Sequence, residues 1–183
     1  MFNNIRESVK NQMDKLNLLA KKSIENYIND GKVIDADQAP AGLKKKSAGC
    51  FVSLHLKNNS ELRGCIGTIL PTCKNLAAEI INNAISACRD PRFLPVTKDE
   101  FDNLDISVDV LSEPEPIESE KSLNPKKYGV VVKAKDGRTG LLLPNLEGID
   151  DTNYQVAIAR QKAAINPNEP IFLYRFTVER HTM

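Results

Sequence analysis

The sequence predicts an α+β protein, with mostly antiparallel strands packed by helices, in a single domain of two lobes. Two pairs of strand-like segments are each joined by a short turn, and a helix-like segment follows each pair. The chain has 183 residues, 41% hydrophobic and 27% charged, which is enough for one buried core. We expect one domain over residues 1–183, with lobe 1 over about 1–112, an acidic proline-containing link over 112–120 and lobe 2 over about 121–183.

The first half is predicted to hold a long helix, a β-hairpin, two further helices and a strand. The long helix is expected from about residue 8 to 29, because apolar residues such as Val9 and Met13 recur at helical spacing. Thr72 is placed to cap the next helix. This helix is expected to end near Cys88, because the residue before Pro91 disfavours helical geometry. The other segments are strands over 50–57 and 62–70, a short helix opened by a Thr97–Glu100 capping box, and a strand over 105–111.

The second half is predicted to follow the same order of hairpin, helix and strand. Asp136 and Gly137 form a two-residue hairpin turn, and Thr152 with Gln155 forms a capping box. Alternating apolar residues from Phe172 to Val178 indicate a half-buried strand, and His181 is expected in a solvated tail beyond it. The segments are strands over 130–135 and 138–143, a helix from Thr152 to about 165, and a strand over 171–180.

The first hairpin is expected to carry a polar face. Pairing Lys57 with Glu61 brings the apolar side chains of the two strands together, whereas a slip of one residue would separate them. This register places His55 opposite Arg63 and Ser53 opposite Cys65. The apolar face then holds Val52, Leu54, Leu56, Leu62 and Ile66.

Cys65 is the candidate catalytic residue of this face, and two interpretations stay open. A thiolate can act as a nucleophile, and the neighbouring His55 or Arg63 would favour the thiolate form. Alternatively, Gly64 and Gly67 make room for the helix that follows, and Cys65 is only a small buried residue. The other three cysteines are expected to be packing residues, since their spacing lacks short Cys-x-x-Cys pairs, and we expect no metal and no cofactor.

Arg89-Asp90-Pro91-Arg92-Phe93 is a second concentration of charge, in a turn that the proline makes rigid. The simplest interpretation is an Asp–Arg pair that stabilises the turn. If the preceding helix runs alongside the hairpin, however, this turn returns toward Cys65. Arg63, Cys65, Asp90 and Arg92 would then line one cleft, with the arginines placing an anionic group and Asp90 orienting one of them.

Composition and motifs exclude several classes of function. The net charge is only +1, which gives no support to direct binding of nucleic acid. No segment approaches the length of a membrane span, and four cysteines do not form a secreted disulfide pattern, so we expect a cytoplasmic protein with thiols. The phosphate-loop, His-Glu-x-x-His and nucleophile-elbow motifs are also missing.

Leu62-Arg63-Gly64-Cys65-Ile66-Gly67-Thr68 resembles the AMMECR domain family, called AmmeMemoRadiSam system protein A in prokaryotes. The resemblance extends over nearly the whole chain. Its supporting segments are Phe51 to Leu54, Asp90-Pro91-Arg92-Phe93, Ile106 to Ser112, Gly140 to Pro144, and Lys162-Ala163. The heptad is the most specific of them, and His55 lies outside the resemblance.

The resemblance implies a two-lobed α+β fold and carries the polar positions of the motif onto Arg63, Cys65, Asp90 and Arg92. It also implies association with a MEMO-type protein and a radical SAM enzyme, and it assigns no reaction. We therefore expect a protein that binds a small anionic or nucleotide-like ligand through these residues and His55. The alternative is a non-catalytic interaction module in which the heptad is purely structural.

Overall fold

The computed structural model describes residues 2–182, with side chains from residue 15 onward. It confirms the predicted α+β class, with five α-helices and two four-stranded antiparallel sheets in that part of the chain. The chain forms two compact units. Unit 1 extends to Val110 and includes the chain again from Glu179, and unit 2 is Leu111–Val178.

The elements follow one another in a regular order of helices and hairpins. In the first half they are α1 (Phe2–Asp30), α2 (Ala41–Lys45), β1 (Cys50–Leu56), β2 (Leu62–Gly67), α3 (Leu76–Ala87), α4 (Lys98–Phe101) and β3 (Leu104–Leu111). In the second half they are β4 (Glu115–Ile117), β5 (Gly129–Ala134), β6 (Thr139–Leu142), α5 (Thr152–Lys162), β7 (Ile171–Phe176) and β8 (Val178–Thr182).

Unit 1 contains a sheet in the order β2-β1-β3-β8, against which α3 packs. Its core forms because one face of each element is apolar; Ile24, Val52, Leu54, Ile80 and Val108 are among its buried residues. Residues predicted on the apolar face of the first helix include Val9 and Met13, which lie outside the described side chains.

The start of α3 differs from the sequence prediction. Thr72 is not its cap, because the Thr72 hydroxyl and N–H both donate to the Glu79 carboxylate. The helix begins at Leu76 instead, and the Asn75 side chain accepts the Ala78 N–H at 3.0 Å. Residues 68–73 are therefore a loop held by the first turn of the helix.

The register of the first hairpin is partly as predicted. Ser53 lies opposite Cys65 and Leu54 opposite Gly64, but a bulge shifts the pairing so that His55 lies opposite Leu62 rather than Arg63. The predicted His55–Arg63 pair is therefore wrong, because a bulge places an extra residue on one strand. Leu62 is also 38% exposed, so it does not join the apolar face as expected.

Unit 2 contains a sheet in the order β4-β7-β5-β6, with α5 packed on β5 and β6. The acidic proline-containing link predicted over residues 112–120 contributes β4, which pairs antiparallel with β7. The predicted closing strand is in fact two strands, since β7 belongs to this sheet and β8 to the sheet of unit 1. Asp151, not Thr152, caps α5 by accepting the Tyr154 N–H. Across the described residues, no helix combines the length and the apolar character needed to cross a membrane.

Candidate functional site

The outer edge of β2 carries the main constellation of polar groups. β2 is the last strand in the order of its sheet, so the backbone of Cys65 that points away from β1 has no strand beside it. The Cys65 N–H donates to Asp90 Oδ2 at 2.9 Å, and the Cys65 carbonyl accepts from Arg92 Nη2 at 3.2 Å. The Asp90–Arg92 pair thus takes the place of a neighbouring strand.

Asp90 and Arg92 are held together by several hydrogen bonds within one turn. The Arg92 N–H and Nε donate to Asp90 Oδ1 at 3.1 and 3.0 Å, and Arg92 Nη2 donates to Asp90 Oδ2 at 2.5 Å. These bonds, with that from the Cys65 N–H, hold the pKa of Asp90 well below its usual range despite burial. The Asp90 side chain is 1% exposed and the Arg92 side chain 57%, so a buried carboxylate holds a guanidinium at the surface.

The Cys65 thiol lies across the strand pair from Ser53, whose hydroxyl donates to Cys65 Sγ at 3.2 Å. Cys65 is only partly buried, whereas Cys50 and Cys88 are buried, and burial raises the pKa of each of these two thiols to about 12. All four cysteines lie among the described residues, and none forms a disulfide. Cys50 and Cys88 are therefore packing residues, and the Cys65 thiol has a different environment.

Arg63 is engaged with α4 rather than with the Asp90 turn. Its Nε and Nη2 donate to the two Glu100 oxygens at 2.9 and 3.1 Å, and its side chain is 13% exposed. This pairing is the main cause that lowers the pKa of Glu100. Phe93 connects the two arginines, because the guanidinium carbons of Arg63 and Arg92 lie 6.0 and 5.6 Å from its ring centre.

Gly64 provides space for α3. A Cβ atom at this position would lie 2.2 Å from the Ala87 carbonyl oxygen, at the end of that helix. The structural interpretation of Gly64 is thus confirmed, and the same close approach places the turn that follows α3 at the edge of β2. A Cβ at Gly67 would meet the Phe51 ring and the Cys50 carbonyl, so this glycine makes room for β1 rather than for the helix as predicted. Both glycines therefore serve packing.

The structure brings together three of the five residues predicted for the site, namely Cys65, Asp90 and Arg92. Arg63 lies nearby through Phe93, although its guanidinium is paired with Glu100. His55 is half-buried on β1, where its backbone pairs with the neighbouring strands, and its side chain makes no hydrogen bond or ion pair among the described residues. His55 is therefore not part of the hydrogen-bonded group formed by Cys65, Asp90 and Arg92.

Sequence reasoning missed Glu79, which lies 1% exposed beneath the loop that follows β2. Its carboxylate accepts from the Thr68 hydroxyl at 2.5 Å and from the N–H groups of Thr72 and Cys73 at 2.9 and 2.8 Å. These bonds outweigh burial and lower the pKa of Glu79. The sequence offered one signal for this buried carboxylate, namely an acidic residue three positions after Leu76 among the apolar residues of α3.

His181 was also misjudged, because it is 2% exposed within β8 rather than in a solvated tail. Burial lowers the pKa of its imidazole. No group of three or more His, Cys, Asp or Glu side chains in the described part of the chain is arranged to hold a metal ion.

Most of the chain is similar in sequence to a known protein family. The sequence profile of the AMMECR1 family matches residues 18–181. The chain belongs to the AMMECR1 family. The matched range includes β2, the Asp90–Arg92 turn, most of unit 1 and all of unit 2.

Relatives in the AMMECR1 family occur in bacteria and archaea. A protein of Thermotoga maritima is 52% identical over 165 residues, which cover 88% of this chain and 94% of the relative. A protein of Clostridium acetobutylicum is 46% identical over 178 residues, covering 96% of this chain but only 37% of that longer relative. The crystal structure of the Pyrococcus horikoshii protein PH0010, described as uncharacterized, matches with a TM-score of 0.83 at 33% identity, over 92% of this chain and 90% of that one.

Proposed function

We propose that this AMMECR1-family chain binds a small anionic or nucleotide-like ligand at the outer edge of β2. The observation that carries the proposal is the unequal exposure of the Asp90–Arg92 pair, 1% for the carboxylate side chain and 57% for the guanidinium. A buried carboxylate that holds an exposed guanidinium presents positive charge and N–H donors at a fixed position. Cys65 lies at the same place, because its backbone is bonded to both side chains.

Each residue has a separate role in this proposal. Arg92 and Cys65 face the ligand, with Arg92 donating to its anionic group. Asp90 positions Arg92, and Arg63 supports Phe93, against which Arg92 stacks. Cys65 is a wall residue or a nucleophile, and its sulfur accepts a hydrogen bond from the Ser53 hydroxyl. His55 is not needed.

The proposed setting is a reducing cytoplasm, beside a MEMO-type protein and a radical SAM enzyme. The presence of four cysteines without a disulfide supports the compartment. The much longer Clostridium relative supports action beside a second protein, because this domain forms only 37% of that polypeptide. A pull-down from cells that contain all three proteins tests the association, which fails if neither partner is recovered.

A non-catalytic interaction module is the second candidate function. Leu94 favours it, since this side chain is 83% exposed directly after Phe93 in the same turn. Protein interfaces combine an apolar and aromatic core with a polar rim, and Leu94, Phe93 and the arginines beside them supply both. In that case Leu94→Ser would weaken partner binding, whereas binding of small anions would be unchanged or absent.

Ligand binding is tested by titrating the protein with inorganic phosphate and with adenosine monophosphate, followed by chemical shifts of backbone amides. We expect shifts at Cys65, Arg92 and Phe93. Arg92→Gln should weaken binding by about tenfold or more, the effect of one charge-assisted contact. Arg89→Gln is the matched control, because Arg89 is exposed in the same turn and its guanidinium bonds to the Tyr27 hydroxyl rather than to the Asp90 carboxylate. Equal weakening by both variants, or no shift in the wild-type protein, would contradict the proposal.

A further inference from the structure

A cavity lies in unit 2, beside the exposed face of α5. Its volume is about 560 Å³, within the range of small-molecule pockets. Its walls come from α5, the turn after α5 and a 3-10 turn at Glu120–Ser122. The side chains that matter are Glu120, Asn153, Val156, Ala157, Arg160 and Ile165.

Two charges on the cavity wall lack ionic partners. Arg160 Nη1 donates to the Asn166 and Glu169 carbonyls at 2.9 Å each, and among the described residues it has no carboxylate partner. Glu120 has neither an ion pair nor a side-chain hydrogen bond in the same part of the chain, although both residues are only partly exposed. By contrast, Arg138 and Arg175 of the same unit pair with carboxylates.

The floor of the cavity is apolar. Val156 and Ile165 are 2% and 4% exposed, so they belong to the core of unit 2 while also lining the cavity. Ala157 and Ala164 are exposed and small, which keeps the space above the floor open. An aliphatic group of a ligand can therefore reach buried side chains without displacing any of them.

From these features we infer that the cavity binds a small zwitterion of the amino-acid or short-peptide class, with an aliphatic side chain. Arg160 receives the carboxylate, because its guanidinium is held in place by two carbonyls and keeps other N–H groups for a ligand. Glu120 receives the ammonium group, and the Asn153 amide completes the polar rim. The aliphatic side chain lies on Val156 and Ile165.

The test is a titration of the whole protein with L-alanyl-L-leucine, followed by backbone amide chemical shifts. We expect saturable shifts confined to the cavity, with a dissociation constant on the order of 1 mM, as suits a small ligand in an open site. N-terminal acetylation or C-terminal amidation of the dipeptide should each weaken binding by about tenfold, since each removes one charge.

Two variants separate the cavity from a general surface effect. Ala157→Leu fills the cavity from an exposed helix position and should remove binding without unfolding the protein. Glu120→Gln should weaken binding of the free dipeptide but not of the acetylated one, and the exposed Glu118→Gln is its matched control. Absence of shifts in the wild-type protein, or unchanged binding in Ala157→Leu, would overturn the inference and would leave the site on β2 untouched.

Discussion

The two Asp-x-Arg turns of the molecule have nearly the same local geometry and very different surroundings. In Asp90-Pro91-Arg92 and in Asp136-Gly137-Arg138, the arginine N–H donates to Oδ1 of the aspartate at 3.1 Å, and the arginine Nε donates to the same carboxylate. The Asp136 side chain is 55% exposed, whereas that of Asp90 is 1% exposed. The sequence pattern therefore fixes the turn but does not fix its role.

The difference lies in what each arginine and carboxylate reach beyond the turn. Arg138 continues to the Glu169 carboxylate and the Ala164 carbonyl, so it fastens the β5–β6 hairpin to the segment after α5. Asp90 and Arg92 instead reach the backbone of Cys65, and Arg92 stays mostly exposed. The charges of the Asp136–Arg138 turn therefore connect two segments of unit 2. The Asp90–Arg92 turn instead leaves an exposed guanidinium beside Cys65.

The hairpins themselves are built alike, and alanine at their glycines should give the largest effects. A Cβ at Gly64 would lie 2.2 Å from the Ala87 carbonyl oxygen, and a Cβ at Gly140 would lie 1.9 Å from that of Ala159. Because backbone must move in both cases, we expect each substitution to lower the free energy of unfolding by about 3 kcal/mol or more.

Urea unfolding measures both variants, and Gly42→Ala is the control because a Cβ at Gly42 would meet no atom within 4 Å. This control should be neutral or slightly stabilising within its short helix. If only one of the two substitutions lowered the free energy of unfolding, the two hairpins would not depend on their glycines in the same way.

Replacing each aspartate by asparagine should have the next largest effect, and the loss of stability should differ between the two turns. Asp90→Asn leaves the Arg92 guanidinium without its carboxylate and weakens the bond to the Cys65 N–H, so we expect a loss of about 2–3 kcal/mol in the free energy of unfolding. Asp136→Asn should cost clearly less, since its carboxylate is exposed. Equal losses in the two variants would show that burial does not distinguish the turns.

The pH dependence of stability should also show the contribution of the buried Asp90 carboxylate. Because the pKa of Asp90 is lowered in the folded protein, its contribution is complete above the unfolded value of about 3.9 and is lost as the pH falls below it. Wild-type protein should therefore lose more stability between about pH 5 and pH 2 than Asp90→Asn does. Glu79 and Glu100 contribute to both proteins in the same direction. Parallel acid-unfolding curves would exclude the contribution of Asp90.

The smallest expected effect is at Ser53. Ser53→Ala removes one hydrogen bond, to Cys65 Sγ, at a position that is 8% exposed. We expect a loss of about 1 kcal/mol or less in the free energy of unfolding. The alkylation rate of Cys65 should change in this variant while that of Cys73 does not, which mass spectrometry of the labelled peptides can measure. Unchanged labelling of Cys65 would show that the hydroxyl has no influence on the thiol.

The parts of the fold that the sequence predicted follow from local patterns. Apolar periodicity and turn residues located the helices and hairpins, because burial and turn geometry act over a few residues. The bulge beside His55 was missed, since the alternation of apolar residues does not show where one strand carries an extra residue. Similarly, nothing local shows that Arg63 pairs with Glu100 while Arg92 remains exposed.

The most direct test of the site on β2 is protection of Cys65 from alkylation by an anionic ligand. Iodoacetamide labelling of Cys65 and Cys73 is measured in the same sample, with and without saturating adenosine monophosphate or phosphate. Both thiols are partly buried, and Cys73, whose sulfur accepts from the Asn82 amide, is the internal control. We expect the ligand to slow labelling of Cys65 alone, and we expect Arg92→Gln to abolish that protection. Labelling of Cys65 at the same rate with and without ligand, or protection that persists in Arg92→Gln, would contradict the account.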